Sequence, residues 1–316
     1  MRNSLFANLI LFFTLPVHAL VGGAVDPNTS GSPWAGVGAV NVNGGTFSGA
    51  LIDRQYVLTA AHVVGGHVSA PGNVSFTLNA DGAASRVITA ESIVVFPGFT
   101  GTTPGSDGVW HDDLALIKLA APVDSSVPVY GLYNGALDGK TVTLVGYGGS
   151  GNGVNGATSP ASANVKRVGQ NRVDKMLPDD DGGDQAEIFL FDFDGPDASS
   201  NVFGLSRRAN LTLGATVEAQ FAGGDSGSPV FVNDDGVWKI AGIAAFNGSV
   251  TGLPGSNVRF GSLGGGIIVA PYLPWITSTL VPPLVTPVPE PHAWLLLLVG
   301  MGLVGATKLS FPAPIK

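Results

Sequence analysis

The strongest constraint on this chain is how its apolar residues are divided. Between Val37 and about Ile276 they fall in short runs, among them Val37-Gly38-Ala39-Val40, Ala50-Leu51-Ile52, Tyr56-Val57-Leu58, Ile93-Val94-Val95, Leu114 to Leu119, Thr141 to Val145, Ile188 to Phe191, Pro229 to Val232 and Ile240 to Ala245. Gly, Asn, Asp and Pro punctuate these runs, and with 46 glycines and 22 prolines in 316 residues there is little room for long helices. Short strands at this spacing predict an all-β chain built as barrels or a sandwich. Only the segment from Tyr272 to Ser278 reads as helix, and no internal repeat of fixed period is present. The chain has no cysteine, so no disulfide, thiolate metal site or thiol nucleophile is available and stability must come from the core. A formal net charge of -8 argues against binding to a nucleic-acid backbone, which needs clustered Lys and Arg that this chain lacks.

The two ends read differently from the body. Residues 1–19 carry Arg2, an apolar run from Leu5 to Phe13 and the small-residue close Val17-His18-Ala19, the pattern of a secretory signal peptide. The run is shorter than the ~20 residues a spanning helix needs. At the other end, Val281-Pro282-Pro283-Leu284-Val285-Thr286-Pro287 reads as a stiff extended linker. Val288-Pro289-Glu290-Pro291, the apolar run Ala293 to Ala306 and the lysines Lys308 and Lys316 then follow. This tail resembles the PEP-CTERM sorting signal of exported bacterial proteins, although that family usually ends on a tight arginine cluster. The resemblance implies transient membrane contact through residues 293–306 and a sorting protease as partner. It also implies an exported location, in the periplasm, cell envelope or extracellular space.

Within the body, Gly223-Gly224-Asp225-Ser226-Gly227-Ser228-Pro229 places a serine hydroxyl on a turn unusually rich in glycine. Glycines let the backbone turn tightly and approach a ligand closely, so the amides of Gly224 and Ser226 are candidate donors to a developing oxyanion. The same residues also suit an ordinary polar turn. A nucleophilic serine needs a base, and of five histidines His18 and His292 lie in the removable ends. Among His62, His67 and His111, His62 stands out, closing the apolar run Tyr56-Val57-Leu58-Thr59-Ala60-Ala61. Asp113, just before a buried strand, is placed to orient an imidazole, with Asp112 facing the opposite way. Structural roles for these residues, a strand-end histidine and aspartates at a strand edge, remain the alternative at this level.

The strings Thr59-Ala60-Ala61-His62, Asp113 to Leu119 and Gly224 to Pro229, in that order, resemble the trypsin-like, chymotrypsin-fold serine proteases. Further matches are Ser48 to Ile52, Val145 to Gly148, Gly242 to Phe246 and Tyr272 to Ile276, so the likeness covers about residues 20–278. It implies two six-stranded antiparallel β-barrels with a short C-terminal helix. The implied organisation is a signal peptide (1–19), a first barrel with His62 and Asp113 (20–130), a second barrel with Ser226 and the closing helix (131–280), a proline-rich linker (281–291) and a hydrophobic sorting or anchor segment (292–316). Ser226 is implied as nucleophile, His62 as general base and acid, Asp113 as orienter, and the Gly224 and Ser226 amides as the oxyanion hole. Leu20-Val21-Gly22-Gly23 resembles the family's mature start, whose free amine pairs with the aspartate before the serine, here Asp225. Cleavage after Ala19 would then activate the chain on export. The implied substrate pocket has Gln220 at its base, Asn247 on one wall and Gly265 on the other; an aspartate selecting Lys or Arg is absent, and small or medium uncharged side chains are the expectation.

The acidic stretch from Asp179 to Asp184, followed by Asp192, Asp194 and Asp197, is a calcium candidate but departs from EF-hand spacing, and a solvated loop is the default. No metal or other cofactor is expected. The reading is a serine endopeptidase acting on polypeptides; the alternative is a secreted, non-catalytic barrel that binds polypeptide or matrix.

Overall fold

The computed structural model describes residues 20–80, 84–101, 108–204, 211–250 and 256–281. The signal segment and nearly all of the linker and tail lie outside the described residues. In chain order the strands of the first half are β1 (Ala24–Val25), β2 (Val37–Val42), β3 (Gly45–Leu51), β4 (Tyr56–Thr59), β5 (Val74–Ala80), β6 (Ala84–Val95) and β7 (Ala115–Leu119), with a one-turn helix α1 (Ala61–Val64) after β4. The second half holds β8 (Gly131–Leu132), β9 (Thr141–Gly146), β10 (Ser150–Asn152), β11 (Gly156–Ser159), β12 (Arg167–Arg172), β13 (Lys175–Pro178), β14 (Ala186–Asp192), β15 (Pro229–Asp234), β16 (Val237–Ser249) and β17 (Ser262–Ile268). Helix α2 (Leu273–Leu280) follows them.

Strands β2 to β7 close into a six-stranded barrel in the order β2-β3-β4-β7-β6-β5. The second half forms a nine-stranded sheet, β1-β12-β9-β15-β16-β17-β14-β13 with β8 against β16, beside the β10–β11 hairpin. Two of its nine strands, β1 and β8, have two residues each, a length at which hydrophobic alternation carries no signal, and the other seven still outnumber the six expected of a second barrel. β1 pairs with β12, Ala24 opposite Val168, so the start of the segment assigned by sequence to the first barrel belongs to the second sheet.

One core cluster runs across both halves, from Phe76 and Leu116 in the first to Tyr147, Phe231 and Ile243 in the second. The Trp34 ring sits 4.9 Å from both Phe231 and Trp238. A second cluster fills the second half with Leu20, Leu144, Phe189 and Val230. The polar hub between the halves is Ser48 on β3. Its amide donates to the Ser226 carbonyl at 3.0 Å, its hydroxyl donates to the Gly224 carbonyl at 3.1 Å, and that hydroxyl accepts the Tyr147 amide at 3.0 Å. Helix α2 is anchored by edge-on contacts of the Phe96 ring with Tyr272 and Trp275. Among the described residues no helix is long and apolar enough to cross a membrane.

Candidate active site

Antiparallel pairing of β4 with β7 sets Thr59 opposite Ala115, which brings the end of one strand and the start of the other to the same barrel rim. His62 follows the first and Asp113 precedes the second. The apolar run does not carry His62 on a strand, however: β4 ends at Thr59, whose hydroxyl donates to the Ser48 carbonyl, and His62 lies in the single turn of α1. Amides in a helix's first turn have no partner within the helix. The His62 amide therefore donates to Asp113 Oδ1 at 2.8 Å, while the ring Nδ1 meets Asp113 Oδ2 at 2.6 Å. Asp113 is fully buried, so both bonds form away from water and fix the imidazole by two points.

Ser226 is supplied by the loop before β15. This loop is pinned through Ser48 and through the Gly227 amide, which donates to Ala244 on β16 at 2.8 Å. Gly224 has φ +96, a conformation that residues with a Cβ rarely adopt. The amides of Asp225, Gly227 and Ser228 are used within the protein, whereas those of Gly224 and Ser226 donate to no protein acceptor among the described residues. With the exposed Gly223 amide, which is likewise unused, they are the loop's donors left for a ligand. Ser226 and His62 line one cavity of about 260 Å³ together with Trp110, Phe221, Ala245 and Asn247. His62 also borders a cavity of about 390 Å³ with Val95, Phe99 and Trp110. The Trp110 and His62 rings are 5.9 Å apart and tilted by 33°.

Of the pocket candidates, only Asn247 lines the smaller cavity. Its Nδ2 donates to the Phe221 carbonyl at 3.2 Å. Gln220 does not line that cavity: fully buried, it accepts the Phe221 amide at 2.8 Å and donates to Ser262. Gly265 is paired with Phe246 and Leu190, and a Cβ there would stand 2.5 Å from the Phe246 ring, so it is covered and not open. Phe221 and Trp110 were missed by sequence reading because a single aromatic beside a motif has no periodicity to mark it.

Asp225 is fully buried, accepting the Gly148 amide at 2.8 Å and the Ala222 amide at 2.9 Å. Burial pushes its carboxyl up to about 7, opposed by those bonds and by the Arg167 charge. Leu20 is also fully buried, at φ 49, and the adjacent Val21 exchanges backbone bonds with Gln220, five residues before Asp225 in sequence.

The acidic stretch divides. Asp180, Asp181 and Asp184 are exposed, while Asp192 and Asp194 are buried near Asp174 and Glu218. Burial raises Asp194 to about 6, Glu218 to about 7 and Asp174, beside Asp192, to about 8. His111, Asp180 and Glu187 also group together. The His111 Nδ1 to Glu187 Oε2 distance of 2.6 Å is that of a hydrogen bond, since two ligands of a tetrahedral zinc stand roughly 3.3 Å apart.

With this geometry in view, the matches to known proteins fall into place. The trypsin family model matches residues 20–276. Complement C1s subcomponent of Sus scrofa is 38% identical over 78 residues, 24% of this chain and 11% of that protein, so the chain spans only a small part of this relative. On the span of the family match, the chain belongs to the trypsin family of chymotrypsin-fold serine proteases.

Proposed function

We propose that this chain is an exported serine endopeptidase. The observation that carries the reading is the doubly bonded His62–Asp113 pair sharing one cavity with Ser226 and its two unused neighbouring amides. Ser226 Oγ attacks the substrate carbonyl as His62 takes its proton; Asp113 stabilises the imidazolium, and the Gly224 and Ser226 amides hold the oxyanion. His62 then returns the proton to the leaving amine, which leaves an acyl-enzyme that water, deprotonated by His62, hydrolyses. The cavity's Phe221, Ala222, Ala244, Ala245 and Phe246 offer apolar contact and no exposed charge, which favours small or medium uncharged side chains before the cleaved bond.

Activation by release of the Leu20 amine belongs to the same proposal. A buried Asp225 whose ionisation is disfavoured is what an incoming ammonium would relieve. The sequence of the tail adds sorting at the envelope. A fluorophosphonate probe tests the chemistry: the processed protein is labelled and Ser226→Ala is not, and absence of labelling in correctly processed protein would remove the enzyme reading. N-terminal sequencing tests the activation step, since active protein beginning well downstream of Leu20 is incompatible with it.

A further inference from the structure

The turn that delivers Asp113 is gripped from the second half of the molecule by side chains with no part in the reaction just described. Asp112 has φ 59, a left-handed conformation that aspartate tolerates but does not favour. Its carbonyl accepts the Leu114 amide at 2.7 Å, which closes the turn around Asp113. The reversal sends neighbouring side chains to opposite sides, Asp113 to His62 and Asp112 to Tyr272, whose hydroxyl donates to Asp112 Oδ1 at 2.8 Å. Glu187 on β14 completes the grip. Its Oε1 accepts the Asp112 amide at 2.7 Å and is also within reach of the Tyr272 hydroxyl, and its Oε2 meets His111 Nδ1 at 2.6 Å. Glu187 is 1% exposed and His111 8%, so water competes little for these bonds. Gly98 closes the other side: a Cβ there would stand 2.1 Å from Asp112 Oδ2.

We propose that His111, Asp112, Glu187 and Tyr272 are positioning residues for the catalytic acid, a network that holds the Asp113 carboxylate against both N–H groups of His62. The inference rests on the triad reading above. Three consecutive residues, 111 to 113, are each met by a side chain from elsewhere in the fold, and only the last of them meets His62. Misplacement of a catalytic group by about 1 Å costs as much as a hundredfold in rate. Loss of the network therefore lowers turnover, while the substrate-binding cavity, which none of the four residues lines, is unaffected.

The test uses the processed full chain and four variants. Tyr272→Phe keeps the ring against Phe96 and removes the hydroxyl; Glu187→Ala removes both acceptors; Glu187→Gln keeps an acceptor for the Asp112 amide and offers an N–H to neutral His111; Gly98→Ala displaces Asp112 by packing alone. Tyr272→Phe, Glu187→Ala and Gly98→Ala are expected to lower kcat about tenfold or more with KM little changed. The acid limb of their pH–rate profile moves to lower pH, because an imidazolium less well met by Asp113 loses its proton more readily. Glu187→Gln is expected to restore most of kcat relative to Glu187→Ala. A readout that needs no turnover is the downfield NMR proton of His62 Nδ1, followed in the Ser226→Ala background, which should weaken or move in the three disruptive variants. Unchanged kcat, acid limb and His62 proton in folded Tyr272→Phe and Gly98→Ala would overturn the proposal even if Glu187→Ala does not fold. A rise in KM alone would also overturn it. If wild type resists the fluorophosphonate, the triad reading itself fails, and the NMR readout still decides whether the network places Asp113.

Discussion

The His62–Asp113 pair concentrates much of the site's chemistry in two contacts. Both Asp113 oxygens accept from His62, one from the ring and one from the main chain, so an amide in place of the carboxylate cannot satisfy both donors. Asp113→Asn is therefore expected to cut kcat on the order of 10⁴-fold with little change in KM, as a wrongly held imidazole tautomer does. A stopped assay on folded, processed protein would show it; a loss under tenfold would mean that Asp113 does not orient His62. These residues were legible in the sequence because each sits inside a contiguous string whose glycines, alanines or alternating apolar residues limit what it can do. Glu187 and Tyr272 were not, since their partner Asp112 lies 75 and 160 residues away in sequence and no local pattern marks the meeting. Gln220 shows the opposite failure. Its place six residues before Ser226 suggested a pocket floor, but an amide side chain can satisfy its own neighbour's backbone, and here it does.

At the scale of elements, strands carrying a contiguous apolar run, such as β2, β4, β7, β9, β14, β15 and β16, could be read, whereas the polar β12, the glycine-rich β17 and the two-residue β1 and β8 were not among the runs the sequence marks. The nine-stranded sheet and the transfer of Ala24–Val25 to it are tertiary facts with no local signature. The serine loop is the reverse case, a short element dictated by two glycines at positive φ, Gly224 and Gly227. At φ +96, Gly224 keeps an amide with no protein acceptor among the described residues, and a Cβ there would stand 2.5 Å from Ala161 Cβ and 2.9 Å from the Thr46 carbonyl. Gly224→Ala is thus expected to turn or displace that amide and to lower kcat by about 10²–10³, the usual effect of removing one oxyanion donor. Fluorophosphonate labelling should slow in parallel while far-UV circular dichroism stays unchanged. Wild-type rates in a folded Gly224→Ala protein would show that the amide does not serve the oxyanion.

At the scale of the whole molecule, four buried carboxyls contribute a pH dependence of stability opposite in sign to that of a salt-bridged carboxylate. Asp174, Asp194, Glu218 and Asp225 are buried, with carboxyls raised to about 8, 6, 7 and 7. In the unfolded chain such groups titrate near 4. Between those values these groups hold more protons in the folded state than in the unfolded one, so their contribution to stability is full below about pH 4 and is lost as pH climbs through 6 to 8. His62 imposes the contrary demand, since only its neutral ring can take the serine proton. The two demands cross, and in the proposed activation the Leu20 amine would act where they do: an ammonium beside Asp225 would favour the ionised carboxylate and remove that residue's share of the loss. The melting temperature of the inactive Ser226→Ala protein is therefore expected to fall between pH 5 and pH 8. The fall should be steeper for a form that retains Ala19 than for one that begins at Leu20. Equal slopes in the two forms would deny the pairing of Leu20 with Asp225, and a melting temperature that rises across this range would deny that the buried carboxyls govern stability at all.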